Sequence, residues 1–473
     1  MKPICLLIGV VALQLIQVSE AADPSSESKQ SWHQWRGPTA TGSAPDANPP
    51  LEWSETKNAK WKIKTPGFGT STPIIWGNRI FILTAIPTEK KTDVKKSEPA
   101  PATANTNAPD ARPRRGGPGR PGGFGGPGGG PPGGFRSETP DEKYQFVVIC
   151  LDRATGKTLW QKIAREEIPH EGHHRDHGFA SASPVTDGQL LIAYFGSRGL
   201  HCYDFDGNLK WQKDFGHMQT KNSFGEGASP ALYGNTVVIN WDHEGDDFIV
   251  ALDKRTGKEL WRTPRDEGTG WSTPLIIDRD GKQQVVVNAS GKVRSYDLAN
   301  GKEIWSCGGQ TANAIPTPVA DAKTVYVTSG FRGSALQAIT LGRTGDLTGT
   351  DAIRWSHNKS TPYVPTPLLV DDLLYVVANN DAKLSCFDTK TGNAHFEAER
   401  LEGLYGIYAS PVAAKDRVYV LGREGACLVL KKGAKLEILA TNKLDDKTDS
   451  SIALVGNQLF IRGHENLYCI EGK

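Results

Sequence analysis

The run Pro169-His170-Glu171-Gly172-His173-His174-Arg175-Asp176-His177 concentrates four imidazoles and two carboxylates in one short stretch. His170-Glu171 followed by His174 spells His-Glu-x-x-His. On a helix, that pattern sets two imidazoles on one face for zinc and leaves the Glu to activate water. Pro169 and Gly172 both oppose a helix, so a zinc-protease centre is not expected. Two readings stay open: a solvated polar loop, or a loop site in which His170, His173, His174 and His177 take zinc or copper as neutral imidazoles.

A second set of candidates is defined by place. Just ahead of a recurring Ser/Thr-Pro step stand Phe68, Phe179, Phe224 with Glu226, Trp271, Asn313, Tyr363, and Tyr405 with Tyr408. If the steps enter strands gathered about one axis, these residues converge on a channel mouth. Aromatics with a few polar groups in a concavity make a ligand site; the competing role is to plug and pack the channel. Gly-x-Ser-x-Gly, Walker and Cys-x-x-Cys-His patterns do not occur in the sequence, which leaves no nucleophile elbow, phosphate loop or haem attachment to anchor a reaction.

The elements that must position these residues are repeats. Thr72-Pro73, Ser183-Pro184, Ser229-Pro230, Thr273-Pro274, Thr317-Pro318, Thr366-Pro367 and Ser410-Pro411, with a worn copy at Ser450-Ser451-Ile452, mostly recur about 45 residues apart, the period of a blade or solenoid unit. A second pattern alternates with them, an Asp and Gly turn leading to an aromatic, as in Asp152-Arg153-Ala154-Thr155-Gly156-Lys157-Thr158-Leu159-Trp160. It returns up to Trp211, Trp261, Trp305 and Phe396, and with a longer turn up to Trp355. Gly supplies φ > 0 and Asp bonds its own backbone, so the pattern is a hairpin. Proline cannot donate to a central ladder, so each Ser/Thr-Pro step belongs at a strand entry or an edge. Segments such as Arg79-Ile80-Phe81-Ile82-Leu83 and Arg417-Val418-Tyr419-Val420-Leu421 fill the rest of each period with strands. The expectation is an all-β, eight-bladed β-propeller of four-stranded antiparallel blades over residues 59–473. Because the last copy lacks an outer strand, Ala59-Lys60-Trp61-Lys62-Ile63 is expected to close it.

The repeats at 151–160, 252–261 and 296–305 resemble those of the PQQ-like β-propeller repeat family. That superfamily includes quinoprotein alcohol dehydrogenases and the propeller lipoprotein of the outer-membrane barrel assembly machinery. The leader Trp32-His33-Gln34-Trp35-Arg36-Gly37-Pro38, with Leu51-Glu52-Trp53-Ser54, is similar to that of secreted bacterial members. The resemblance implies PQQ as a ligand, with calcium and a base carboxylate where the relative is a dehydrogenase. The dehydrogenases' adjacent cysteine pair is missing here, and their calcium ligands and catalytic Asp match no motif. Trp271 is the one candidate for an aromatic floor.

Met1 and Lys2 lead into an apolar run from Ile4 to Ile16 and then small residues, a signal peptide over 1–21 that implies a periplasmic or secreted protein. Residues 22–58 form an extension. The Gly/Pro/Arg-rich stretch 87–142 is expected to be a disordered insertion within the first blade. No later segment is apolar enough to cross a membrane. With 55 Lys+Arg against 53 Asp+Glu, the net charge of +2 offers no field for nucleic acid. The six cysteines after the leader are spaced singly and read as buried free thiols. The functional expectation is an exported, monomeric, non-enzymatic module that binds a protein, small-molecule or glycan partner at its channel face. A PQQ-dependent oxidoreductase acting on alcohols or sugars is the alternative.

Overall fold

The computed structural model describes residues 24–91 and 136–472. The expected signal peptide and the interior of the expected insertion lie outside these residues. Eight sheets follow one another, each built on four antiparallel strands that run in sequence order in all but the last, and two of them carry an additional short parallel strand. Blade 1 comprises Ile74–Trp76, Arg79–Lys91, Glu142–Asp152 and Thr158–Glu167. Its second and third strands pair as far as Lys91 with Glu142, so both described flanks of the expected insertion belong to a hairpin ladder.

Blade 8 takes its first three strands, Ala453–Val455, Gln458–Arg462 and Asn466–Glu471, from the end of the chain and its fourth, Ala59–Lys64, from the beginning. Trp61 lies opposite Cys469 and Lys62 opposite Tyr468, and Lys60 Nζ sits 2.6 Å from Glu471. The expected closure is what the chain forms, and it leaves no open edge between its ends.

The two repeated patterns do two different jobs. At the axis, the backbone N–H of each Ser or Thr step donates to the hydroxyl of the next blade's step. Thr72 donates to Ser183, Ser183 to Ser229 and Ser229 to Thr273, each at 2.9 Å, and the chain of bonds continues through Thr317, Thr366 and Ser410 to Ser451. The Thr72 hydroxyl, at the seam between blades 8 and 1, is buried without a partner. The following proline has no N–H to leave unsatisfied, so a short inner strand can crowd the axis.

At the rim, each outer-strand tryptophan reaches the turn of the next blade. Trp61, Trp160, Trp211, Trp261 and Trp355 donate their indole N–H to carbonyls of Arg153, Phe205, Lys254, Leu298 and Thr389, at 2.8 to 3.1 Å. Asp152, Asp253 and Asp388 each hold their turn by accepting the N–H of the Thr three residues on. Trp305 is the exception, with its buried indole nitrogen unpartnered. Blade 5 has the long turn, and there Gly345–Asp346 instead adds a parallel strand to Glu303–Cys307.

The turn glycine is required twice over. Gly257 has φ +68°, and a Cβ there would lie 2.6 Å from the Trp211 ring. Gly257→Ala is expected to destabilise the fold by more than about 1 kcal/mol, since strain and clash act together; a lowered urea-unfolding midpoint checks it. All six described cysteines are free and buried, and burial pushes the Cys150 thiol up to about 12, so they serve as small apolar residues.

Candidate functional site

Extended backbone turns alternate side chains to the same side. The Ser/Thr steps face the axis, so the residue two places before each step faces it as well. The central cavity of about 230 Å³ is lined by that set: Thr70, Ser181, Gly227, Trp271, Ile315, Val364, Tyr408 and Asp449, one from each blade, above the hydroxyls of the steps. His174, Asp176, His177, Phe224 and Tyr363 complete the walls, and Trp35 lines the cavity too.

Trp35 gets there because the leader crosses the ring. Trp32 pairs with Ile75 of blade 1, and His33 O accepts from Thr186 N of blade 2. The Arg36 guanidinium then donates to Pro367 O and Pro411 O, of blades 6 and 7, and Ser43–Ala44 pairs in parallel with Val412–Ala414. The leader thus spans from blade 2 to the opposite side and gives the cavity a floor. Burial without an acid partner pushes Arg36 down to about 9.

Of the residues nominated from sequence, Phe224, Trp271, Tyr363, Tyr408, His174 and His177 meet at this cavity, while the others lie elsewhere. Phe68 packs edge-on against His464, and Phe179 against Tyr144, Phe146 and His173. Asn313 is buried and accepts from Lys221 Nζ at 3.2 Å. Tyr405 projects into solvent, 82% exposed. Glu226 turns away from the axis to Ser197 N, at 2.6 Å, and Arg198.

The histidine link is not helical, as Pro169 and Gly172 require, and its four imidazoles point to separate partners. His170 Nε2 meets Met218 O at 2.7 Å and His173 Nδ1 meets His174 O at 2.9 Å. His174 Nδ1 accepts from Asp176 N at 3.3 Å. His177 has both ring nitrogens engaged, Nδ1 with Gly178 O and Ser181 Oγ, and Nε2 with Phe224 O.

The sequence reading missed the charged network that closes the mouth. Arg423 donates through Nε to Asp449 at 2.7 Å and through Nη2 to Asp176 at 3.1 Å. Its guanidinium lies 3.9 Å from the centre of the Tyr408 ring, whose hydroxyl donates to Asp176, and His464 Nε2 lies 2.9 Å from Asp449. Burial opposes ionisation of Asp176, but Arg423 and the Tyr408 hydroxyl outweigh it and hold the carboxyl below its ordinary range. Asp449 carried a findable signal, since it stands two places before Ser451, as Trp271 and Tyr408 stand before Thr273 and Ser410.

Burial pushes the His33 and His177 imidazoles down to about 4 and lowers His170, His174 and His201 as well. These groups are neutral when folded and charge near pH 6.5 when unfolded. Below about 6.5 the unfolded chain binds more protons, so stability is expected to fall as pH drops from about 6.5 towards 4. Thermal midpoints across that window check this, and His177→Asn is expected to flatten the slope.

The quinone implied by the resemblance does not fit the residues present. It is a tricarboxylate, and the cavity lining contains Asp176 and Asp449 with no lysine or arginine. Arg423 is already engaged between those two carboxylates, and the described cysteines lie singly in the blades.

Residues 145–397 match the PQQ-like repeat family described as outer membrane protein assembly factor BamB. The chain is 23% identical to outer membrane protein assembly factor BamB of Shewanella oneidensis over 60% of its own length and 66% of that protein, and 23% identical to that of Yersinia pestis over 59% and 65%. It thus spans just under two thirds of the length of these relatives. Among solved structures, quinohemoprotein alcohol dehydrogenase from Comamonas testosteroni has the same fold, with a TM-score of 0.58 at 11% identity over 95% of this chain and 84% of that one. With the family matched over more than half of the sequence and eight four-stranded blades in the fold, the chain belongs to the BamB-type PQQ-like repeat family of β-propellers.

Proposed function

We propose that the protein is an exported, non-enzymatic binding module whose channel mouth receives a partner, either a protein segment or a small ligand such as a glycan. The observation that carries this reading is the blind cavity on the axis. Every blade contributes to it at an equivalent position, and Trp271, Tyr363, Tyr408 and Phe224 give it the aromatic surface that recognition sites favour. The acid and base groups at the mouth are engaged with one another rather than poised over a vacant reacting position. The relatives are named as assembly factors of the outer membrane, which supports a scaffold role. Among the described residues no helix is long and apolar enough to cross a membrane, and the leader sequence supports export of a periplasmic or secreted protein.

The oxidoreductase reading rests on fold likeness alone. Titrating purified protein with PQQ and calcium while recording the quinone spectrum separates the two. No stoichiometric binding and no dye-linked oxidation of alcohols or sugars is the expected result; one tightly held quinone per chain with turnover would replace this proposal.

A further inference from the structure

The histidine link between blades 1 and 2, with the loops after strands Leu190–Tyr194 and Leu209–Lys213, holds a second cluster. A ring nitrogen of His170 and a carboxylate oxygen each of Glu171 and Glu226 all lie within 4.8 Å of one another. We propose that these three side chains form a zinc-type divalent metal site, which takes only His170 from the four histidines nominated from sequence and completes it with two carboxylates.

The arrangement of partners supports this. His170 gives Nε2 to Met218 O at 2.7 Å, and its ring stacks on His217 with centroids 4.4 Å apart and planes 7° apart. The carbonyl fixes the proton on Nε2 and leaves the lone pair on Nδ1, which is buried with no hydrogen-bond partner. A metal-bound imidazole is held in this way, with its other nitrogen donating to a backbone carbonyl.

Both carboxylates are also aimed by donors from outside the cluster. Glu171, 5% exposed, accepts from Thr220 N at 3.2 Å and from the Thr220 hydroxyl. Glu226 accepts from Ser197 N at 2.6 Å and from the Ser197 hydroxyl. A Cβ on Gly196 would overlap the Glu226 carboxylate, so only glycine permits this approach.

Charge points the same way. Glu167 is paired with Arg165 at 2.7 Å, which leaves Arg198, 3.2 Å from Glu226, as the one guanidinium acting on both Glu171 and Glu226, so the two carboxylates keep a net negative charge. A divalent cation offsets that charge and takes the Nδ1 lone pair. One imidazole with two carboxylates suits zinc, whereas calcium takes oxygen ligands.

The test is titration of chelator-stripped full-length protein with Zn²⁺ by calorimetry. One ion per chain is expected, with a raised thermal midpoint. Glu226→Gln and His170→Ala are expected to weaken binding by more than about 100-fold, the upper end of what losing an outer-shell partner costs, and His173→Ala/His174→Ala is expected to bind as the wild type does. Zinc X-ray absorption on the wild type, independent of any variant's folding, is expected to need one imidazole and otherwise oxygen neighbours. Absence of stoichiometric zinc, unchanged binding in a folded Glu226→Gln, or a spectrum requiring two or more imidazoles would overturn the assignment.

Discussion

Trp261→Ala is expected to lower the stability of the propeller by about 3–5 kcal/mol, the range for removing a large aromatic from a packed interior. Trp261 is 9% exposed, covers the turn glycine Gly301 and donates to Leu298 O across the junction of blades 3 and 4. Trp261→Phe keeps most of the contact and leaves the Leu298 carbonyl without its donor, so a loss nearer 1 kcal/mol is expected. Urea unfolding of the two variants separates packing from hydrogen bonding. Equal losses would mean that the indole N–H, not the ring, joins the blades.

A larger effect is expected from cutting the chain before Thr65. Without Ala59–Lys64, the strand Asn466–Glu471 loses its outer partner and keeps only Gln458–Arg462 on its other edge, and the core loses the aromatic contact between Trp61 and Phe460. The same cut removes Trp35 and Arg36 from the floor of the channel. Unpaired edges recruit other chains, so the shortened protein is expected to elute as soluble aggregate rather than as a single species. A peptide spanning residues 24–64, added during refolding, is expected to restore the single species. A monodisperse, folded shortened protein would contradict the closure described above.

The fold was legible in the sequence because the blades repeat one device at the axis and most repeat a second at the rim. Ser/Thr-Pro and Asp-x-x-Thr-Gly state their geometry locally, through a missing donor and a positive φ. Even the missing eighth outer strand pointed to its replacement at Ala59. The site was legible most directly where it shared that periodicity, although Phe224 and Tyr363, five and three places before their steps, also line the cavity. Trp271 and Tyr408 stand two places before their steps and face the axis, whereas Phe68, Phe179 and Asn313 stand four places before and are drawn into side pockets as the loop leaves the strand. Tyr405 stands further out still and is exposed. Choosing aromatics by proximity, instead of by the phase of an extended chain, overlooked Asp449.

Nothing local announced that the leader would cross the ring, or that Arg423, His464 and Asp176, far apart in sequence, would share one network. The histidine run left two readings open, a solvated polar loop or a four-imidazole metal site, and the backbone sends each ring to a different partner. Glu226, nominated for the mouth, is held instead by Ser197 and Arg198.

The most direct test of the binding role is site-specific photo-crosslinking in the native envelope. A benzophenone side chain at Tyr363, on the cavity wall, is compared with one at Leu260, 51% exposed on an outer strand. A discrete crosslinked partner from position 363, with none from 260, is the result expected of a protein that works through its channel mouth. Crosslinks from 260 alone would place recognition on the rim and contradict it.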